Sequence, residues 1–113
     1  MTIQTSPTPA STIVTLMPIF VAKPGRSADL ERALLVLQTA SRADNGCLVY
    51  SVFADLNDES RFVMHEEWVS RELLAAHNLQ THVIDFVEQT KDLLSEPFTV
   101  TRLRPIAPSF VAG

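Results

Sequence analysis

The chain is poor in the residues that would staple it, cradle a phosphate or attract a polyanion. It has one cysteine, Cys47, so no internal disulfide can form; this fits a reducing compartment and leaves the fold to a hydrophobic core. Cys47 itself reads as a small buried hydrophobe rather than a reactive thiol. Three glycines are too few for a glycine-rich phosphate loop, and no serine-centred nucleophile elbow is present. The formal charge is −4, with 9 basic against 13 acidic residues, and no basic or basic-aromatic stripe occurs, which argues against a nucleic-acid partner. No apolar run approaches the roughly 20 residues that span a bilayer. Met1 to Ser11 is rich in Thr, Ser and Pro and lacks the charged start and apolar middle of a secretion signal. A cytoplasmic protein without membrane contact is expected.

What is present is enough apolar residue for one core. At 113 residues with 46% hydrophobic and 19% charged content, a single globular domain is expected over 12–104, between a flexible lead (1–11) and a tail (105–113) in which Phe110 and Val111 could tuck against a neighbour. Thr12 to Ala22 reads as a first strand; Pro18 inside it predicts an edge side, a bulge or a break. After the turn Lys23-Pro24-Gly25, Ser27 is placed to cap a helix whose apolar stripe is Leu30, Ala33, Leu34 and Leu37. Asp44-Asn45-Gly46 ends it. Cys47 to Ala54 forms a second strand, with Leu48, Tyr50 and Val52 on one face and Cys47, Val49, Ser51 and Phe53 on the other. A polar connection, Asp55 to Ser60, leads to a third strand, Arg61 to Trp68. Ser70 caps a short helix carrying Leu73, Leu74 and His77, and Thr81 is placed to cap another. Phe98 to Leu103 is the last strand. The order is that of an α+β, ferredoxin-like split βαββαβ fold: a four-stranded antiparallel sheet with helices on one face. The other face, with Cys47, Val49, Phe53 and Val63, would be apolar and exposed, which predicts a two-fold homodimer with facing sheets.

The chemistry centres on the third strand. Phe62, Met64, Glu66 and Trp68 alternate onto one face. A carboxylate that follows two large apolar residues toward a core must be paired, neutralised or used. Glu66 is either a structural acid or a general acid or base with its pKa raised toward neutrality. His77 shares the inward face of Leu73 and Leu74 and is either a satisfied core histidine or the partner of Glu66, its tautomer fixed by that carboxylate. The two side chains are expected within hydrogen-bond reach beside a cavity on the helix side of the sheet. Trp68, Phe62 and Met64 would wall that cavity; Tyr50 would stand at its rim or donate to a substrate. His65 falls on the dimer side. His82 reads as a helix-start residue contacting backbone or solvent. No metal site is expected, because His77 and His82 are five apart and would occupy different helical faces.

Three segments resemble the antibiotic biosynthesis monooxygenase domains. Ser41-Arg42-Ala43-Asp44-Asn45-Gly46-Cys47-Leu48-Val49-Tyr50 is similar to their entry to the second strand, with Asp44 and Asn45 where the family usually has glutamate and proline, a difference expected to change only a turn. Phe62-Val63-Met64-His65-Glu66-Glu67-Trp68 resembles their F-x-x-x-E-x-W strand. Ala76-His77 through Thr81-His82 resembles the stretch that follows it. The resemblance implies a dimeric α+β barrel with a pocket between sheet and helices, and it carries over Glu66, Trp68 and His77. Its members include small monooxygenases that oxidise quinols or polyketide phenols without flavin, metal or haem, together with isomerases, haem-degrading enzymes and proteins of no known activity. The haem-degrading branch is disfavoured: this chain has His77 where that branch has tryptophan, Val87 where it has an iron-binding histidine, and no asparagine in the first strand. The resemblance thus implies cofactor-free oxidation of a small aromatic or quinol-like substrate by molecular oxygen. An isomerase of a small carbonyl compound and a non-enzymatic dimeric ligand-binding or stress-associated barrel are the alternatives.

Overall fold

A computed structural model describes residues 12–106. The elements are β1 (Val14–Val21), α1 (Ser27–Ser41), β2 (Cys47–Asp55), β3 (Asp58–Trp68), α2 (Arg71–Asn78), α3 (Thr81–Leu93) and β4 (Thr99–Leu103). The strands form one antiparallel sheet in the order β2-β3-β1-β4, the expected ferredoxin-like plan. Among the described residues no helix is long and apolar enough to cross a membrane. The expected tail contacts of Phe110 and Val111 lie outside the described residues.

The helices cover one sheet face because their apolar residues recur at helical spacing. α1 buries Leu30, Leu34, Leu37 and Ser41. α3 buries Phe86, Thr90 and Leu93. From the sheet they meet Leu16, Phe20, Tyr50, Phe62, Met64 and Trp68. Phe20 takes Phe86 edge-on at 5.6 Å and Phe98 at 5.1 Å, so Phe98 is a core contact just ahead of β4 rather than its first residue. Ser70 caps α2 as expected, accepting from the Leu73 amide at 3.2 Å. Ser27 and Thr81 do not cap. Each is already helical, and the cap positions belong to Arg26 and Gln80, neither with a side-chain cap bond. The first turn of α1 is tied instead by Asp29, which pairs with both Arg26 and Arg32.

Two strand details refine the expectation. Pro18 lies in an inner strand, between β3 and β4, and the register runs past it without a shift on either side. The ladder to β3 pairs neither Met17 nor Pro18, so the expected break falls in that pairing while the strand itself runs on. In β2, Cys47 pairs with Trp68 and Val49 with Glu67, so Leu48 is the extra residue of a β-bulge. The bulge turns Cys47 onto the helix side, where it packs on the core, and leaves Leu48 half exposed. The open sheet face accordingly carries Val49, Phe53 and Val63 with Ile19 opposite Val63, but not Cys47.

Gly46 enters this bulge with φ +84°, and a Cβ there would sit 2.5 Å from Leu73 Cδ1 and 2.8 Å from Leu73 Cβ. Gly46→Ala should cost roughly 2–5 kcal/mol, summing left-handed strain of about 1–2 with overpacking of about 1–3. Gly25, with φ +79° but nothing within 4 Å of an added Cβ, should lose only the strain part. Urea unfolding midpoints of the two alanine variants, at unchanged slope, check the difference.

Candidate active site

β3 delivers Glu66 and Trp68 to the helix side, and the indole Nε1 donates to Glu66 Oε1 at 2.9 Å. Both are buried, Trp68 completely. Burial holds the Glu66 carboxyl above its ordinary pKa, opposed by the Trp68 hydrogen bond. A carboxyl whose folded pKa is raised contributes stability that is complete below its unfolded pKa and is lost as pH rises through the folded one. Glu66→Gln keeps an acceptor for the indole and removes that titration. The variant should therefore melt above the wild type at pH 8, with the gap closing toward pH 4; parallel melting curves across that range check it. Cys47 is likewise pushed up, by burial first and then by Asp44 and Glu66, so it is no poised thiolate.

His77 does not pair with Glu66. Its ring lies against Trp68, centroids 4.3 Å apart, and meets Tyr50 edge-on at 5.5 Å. Its Nδ1 is 2.7 Å from Asp44 Oδ2, and His82 Nε2 reaches the same oxygen at 2.8 Å. Two expectations are corrected by this geometry. Asp44 is more than a turn residue: the α1–β2 connection, held by Asp44 N–H to Ser41 C=O and Cys47 N–H to Asp44 C=O, aims its carboxylate at both imidazoles. His82 is no solvent-facing helix start either. The five-residue spacing does not keep the rings apart, because α2 stops at Asn78 and α3 starts afresh at Thr81; the two rings hang from different helices and converge. His65 is on the other strand face and pairs with Glu67 at 2.9 Å.

The electrostatics assign the protons. Burial lowers the His77 pKa, opposed by the hydrogen bond and charge of Asp44, with His82 lowering it further. His77 is thus neutral at pH 7, with one N–H. An ionised carboxylate only accepts, so Nδ1 carries that proton and Nε2 is bare. His82 Nε2 faces the same carboxylate oxygen and, since that oxygen accepts, donates to it. Tyr50 is buried, and its phenol is held far above the ordinary tyrosine value, by burial first and by Glu66 second. Ser41, beside it, opposes this slightly although its own buried hydroxyl lacks a hydrogen-bond partner of standard geometry. Tyr50 therefore stays protonated at neutral pH and can offer a hydrogen bond but not act as a base.

The expected hollow beside Glu66 is not among the four principal cavities of the described residues. Trp68, Met64, Phe62 and Tyr50 are packed in the core, and none of them, nor Glu66 or His77, lines any of the four principal cavities among the described residues. The largest of these four, about 470 Å³, opens between α1 and α3 over Ala33, Val36, Leu37, Phe86 and Gln89, with charged side chains such as Arg32 and Asp85 on the same wall. Its volume suits a small molecule. Of the histidine cluster, His82 alone reaches its wall. Asp44 and His82 are the residues that sequence reasoning passed over. The signal available for them was the motif stretch containing both His77 and His82 and the acidic residue standing in the family's glutamate position.

Comparisons with known proteins agree with this architecture. A curated relative from Bacillus subtilis (strain 168), "Putative monooxygenase YcnE", is 31% identical over 90 residues, covering 80% of this chain and 95% of that protein. The crystal structure of PA3566 from Pseudomonas aeruginosa superposes with a TM-score of 0.81 at 34% identity, covering 87% of this chain and 98% of that one. Rv0793 from Mycobacterium tuberculosis gives 0.81 at 26% identity, over 87% and 99% of the two chains. The family model described as antibiotic biosynthesis monooxygenase matches residues 13–89, and the chain belongs to that family.

Proposed function

We propose that the protein oxidises a small phenolic or quinol-type molecule with molecular oxygen, and that the Asp44–His77–His82 cluster takes the substrate's hydroxyl proton. Family membership and the name of the Bacillus relative support a monooxygenase-type function; the substrate class is the finer reading. The observation that carries it is the sharing of one carboxylate oxygen by two imidazoles, at 2.7 and 2.8 Å, with His82 on the wall of the cavity between α1 and α3. The ring of the substrate would lie over Leu37 and Phe86, with its hydroxyl at Nδ1 of His82, the ring nitrogen not engaged by Asp44. Proton transfer to the imidazole leaves a phenolate. The positive charge gained by His82 is stabilised by Asp44. The phenolate supplies the electrons for oxygen, so the chain's own residues need only accept the proton, hold the ring and exclude water. Glu66 in this reading holds the Trp68 indole, which in turn backs the His77 ring. The same base acting on a small carbonyl compound would make an isomerase.

The working unit in this reading is a cytoplasmic homodimer, closed by the open sheet face of Ile19, Val49, Phe53 and Val63, on which Phe53 is 54% exposed in the single chain. Oxygen uptake against a panel of quinols and hydroxyanthraquinones, in chelator-treated buffer, tests the activity. Uptake above the spontaneous rate, lost when Asp44 is replaced by asparagine in a folded protein, supports it. Tight binding of these compounds without turnover would make the protein a binding module instead.

A further inference from the structure

We propose that Asp44, His77 and His82 also form a site for a divalent transition ion, with Zn²⁺ as its best-suited occupant. Each residue offers one donor atom, and the three donors lie within 4.8 Å of one another. Two imidazole nitrogens and one carboxylate oxygen are a donor set that suits zinc, with a fourth position left for water. A tetrahedral ion with bonds of about 2.0–2.1 Å needs its donors roughly 3.3 Å apart. The present separations of 2.7 and 2.8 Å from Asp44 Oδ2 must open by about half an ångström, and the two nitrogens, within 4.8 Å of each other, must settle to the same spacing. The donors come from three different elements, and the His77 ring is held by Trp68 and Tyr50, as a metal ligand needs to be.

A second observation points to a cation. The Asp44 side chain is only 12% exposed, and its ion-pairing partners among the described residues are the two imidazoles, with no lysine or arginine. The neighbouring Arg42 is turned away, donating to the Tyr50 carbonyl at 2.7 Å and to Ser51. A largely buried carboxylate thus faces two donors that carry no permanent charge, an arrangement that a bound cation would neutralise. The ion would enter past His82, whose side chain is 22% exposed, whereas His77 is 2% exposed.

Occupancy has a consequence that rests on the proposed proton transfer. An ion bound to the nitrogens that face Asp44 displaces their protons to the outer nitrogens. Nδ1 of His82, the nitrogen that would accept the substrate proton, is then no longer available. Zinc and turnover should exclude one another.

Tag-free, chelator-dialysed protein titrated with Zn²⁺ by calorimetry tests the site, with Co²⁺ absorption in the visible as a second readout. Expected are one ion per chain with micromolar or tighter affinity, a loss of at least tenfold in His82→Ala, a similar loss in Asp44→Asn, and no change in His65→Ala, whose ring is on the other sheet face. No binding, or binding indifferent to His82→Ala, overturns the site. Oxygen uptake that rises on adding zinc overturns the exclusion but not the site. Absence of turnover altogether counts against the proton transfer alone; the site still stands or falls by the calorimetric titration.

Discussion

His82→Gln is expected to lower turnover of a phenolic substrate by about 10²–10⁴-fold, the usual contribution of a positioned general base, while leaving the fold in place. The amide can still donate to Asp44, so the hydrogen bond that ties α3 to the α1–β2 connection survives and only the proton-accepting nitrogen goes. Unfolding free energy should drop by no more than about 1–2 kcal/mol, against the roughly 5–15 typical of such domains. Substrate affinity, read from KM under slow turnover, should move far less than kcat, because the ring still meets Leu37 and Phe86. His77→Gln separates the alternatives. His77 lies against Trp68 and Tyr50 and lines none of the four principal cavities of the described residues, so its replacement should act through the orientation of Asp44 and lower kcat less than the His82 change does. A larger kinetic loss at His77 than at His82 would move the base to the buried ring and require a pathway into the core.

Trp68→Ala should bring the domain close to unfolding. The side chain is completely buried, and truncation of such a residue costs about 3–5 kcal/mol. It also strips Glu66 of the indole, its hydrogen-bond partner, at a further 1–3 kcal/mol or so. The summed loss, roughly 4–8 kcal/mol, rivals the whole stability of a small domain. Trp68→Phe restores most of the volume without the N–H. It should fall in between, with its deficit shrinking at low pH, where a protonated Glu66 is cheaper to bury. Equilibrium urea unfolding of the two variants at pH 8 and pH 5 measures both parts.

Much of the fold is legible in local pattern. Leu30, Leu34 and Leu37 at helical spacing, the alternation from Phe62 to Trp68 and the Ser70 cap each follow from a few neighbouring residues. The element order they spell is the order found. What local pattern does not carry is partnership. The β2 bulge at Leu48 depends on where Trp68 and Glu67 fall on the facing strand. Pro18 is tolerated inside the sheet because β3 and β4 hold register around it. Asp44 meets His77 across 33 residues and His82 across 38, and nothing in a turn-like Asp-Asn-Gly announces that. Glu66 lies in the core, as its place on β3 predicts, yet its hydrogen-bond donor is two residues away on its own strand, not the histidine on α2. The aromatics that suggest a hollow beside it are packed in the core.

Nitrogen-detected NMR of the histidine rings in metal-free protein tests the partnership of Asp44 most directly. At pH 7.5 His77 should be protonated at Nδ1 and His82 at Nε2, with both patterns disturbed by Asp44→Asn and neither by Glu66→Gln. A His77 ring that ignores the Asp44 change and responds to the Glu66 change would contradict this pairing.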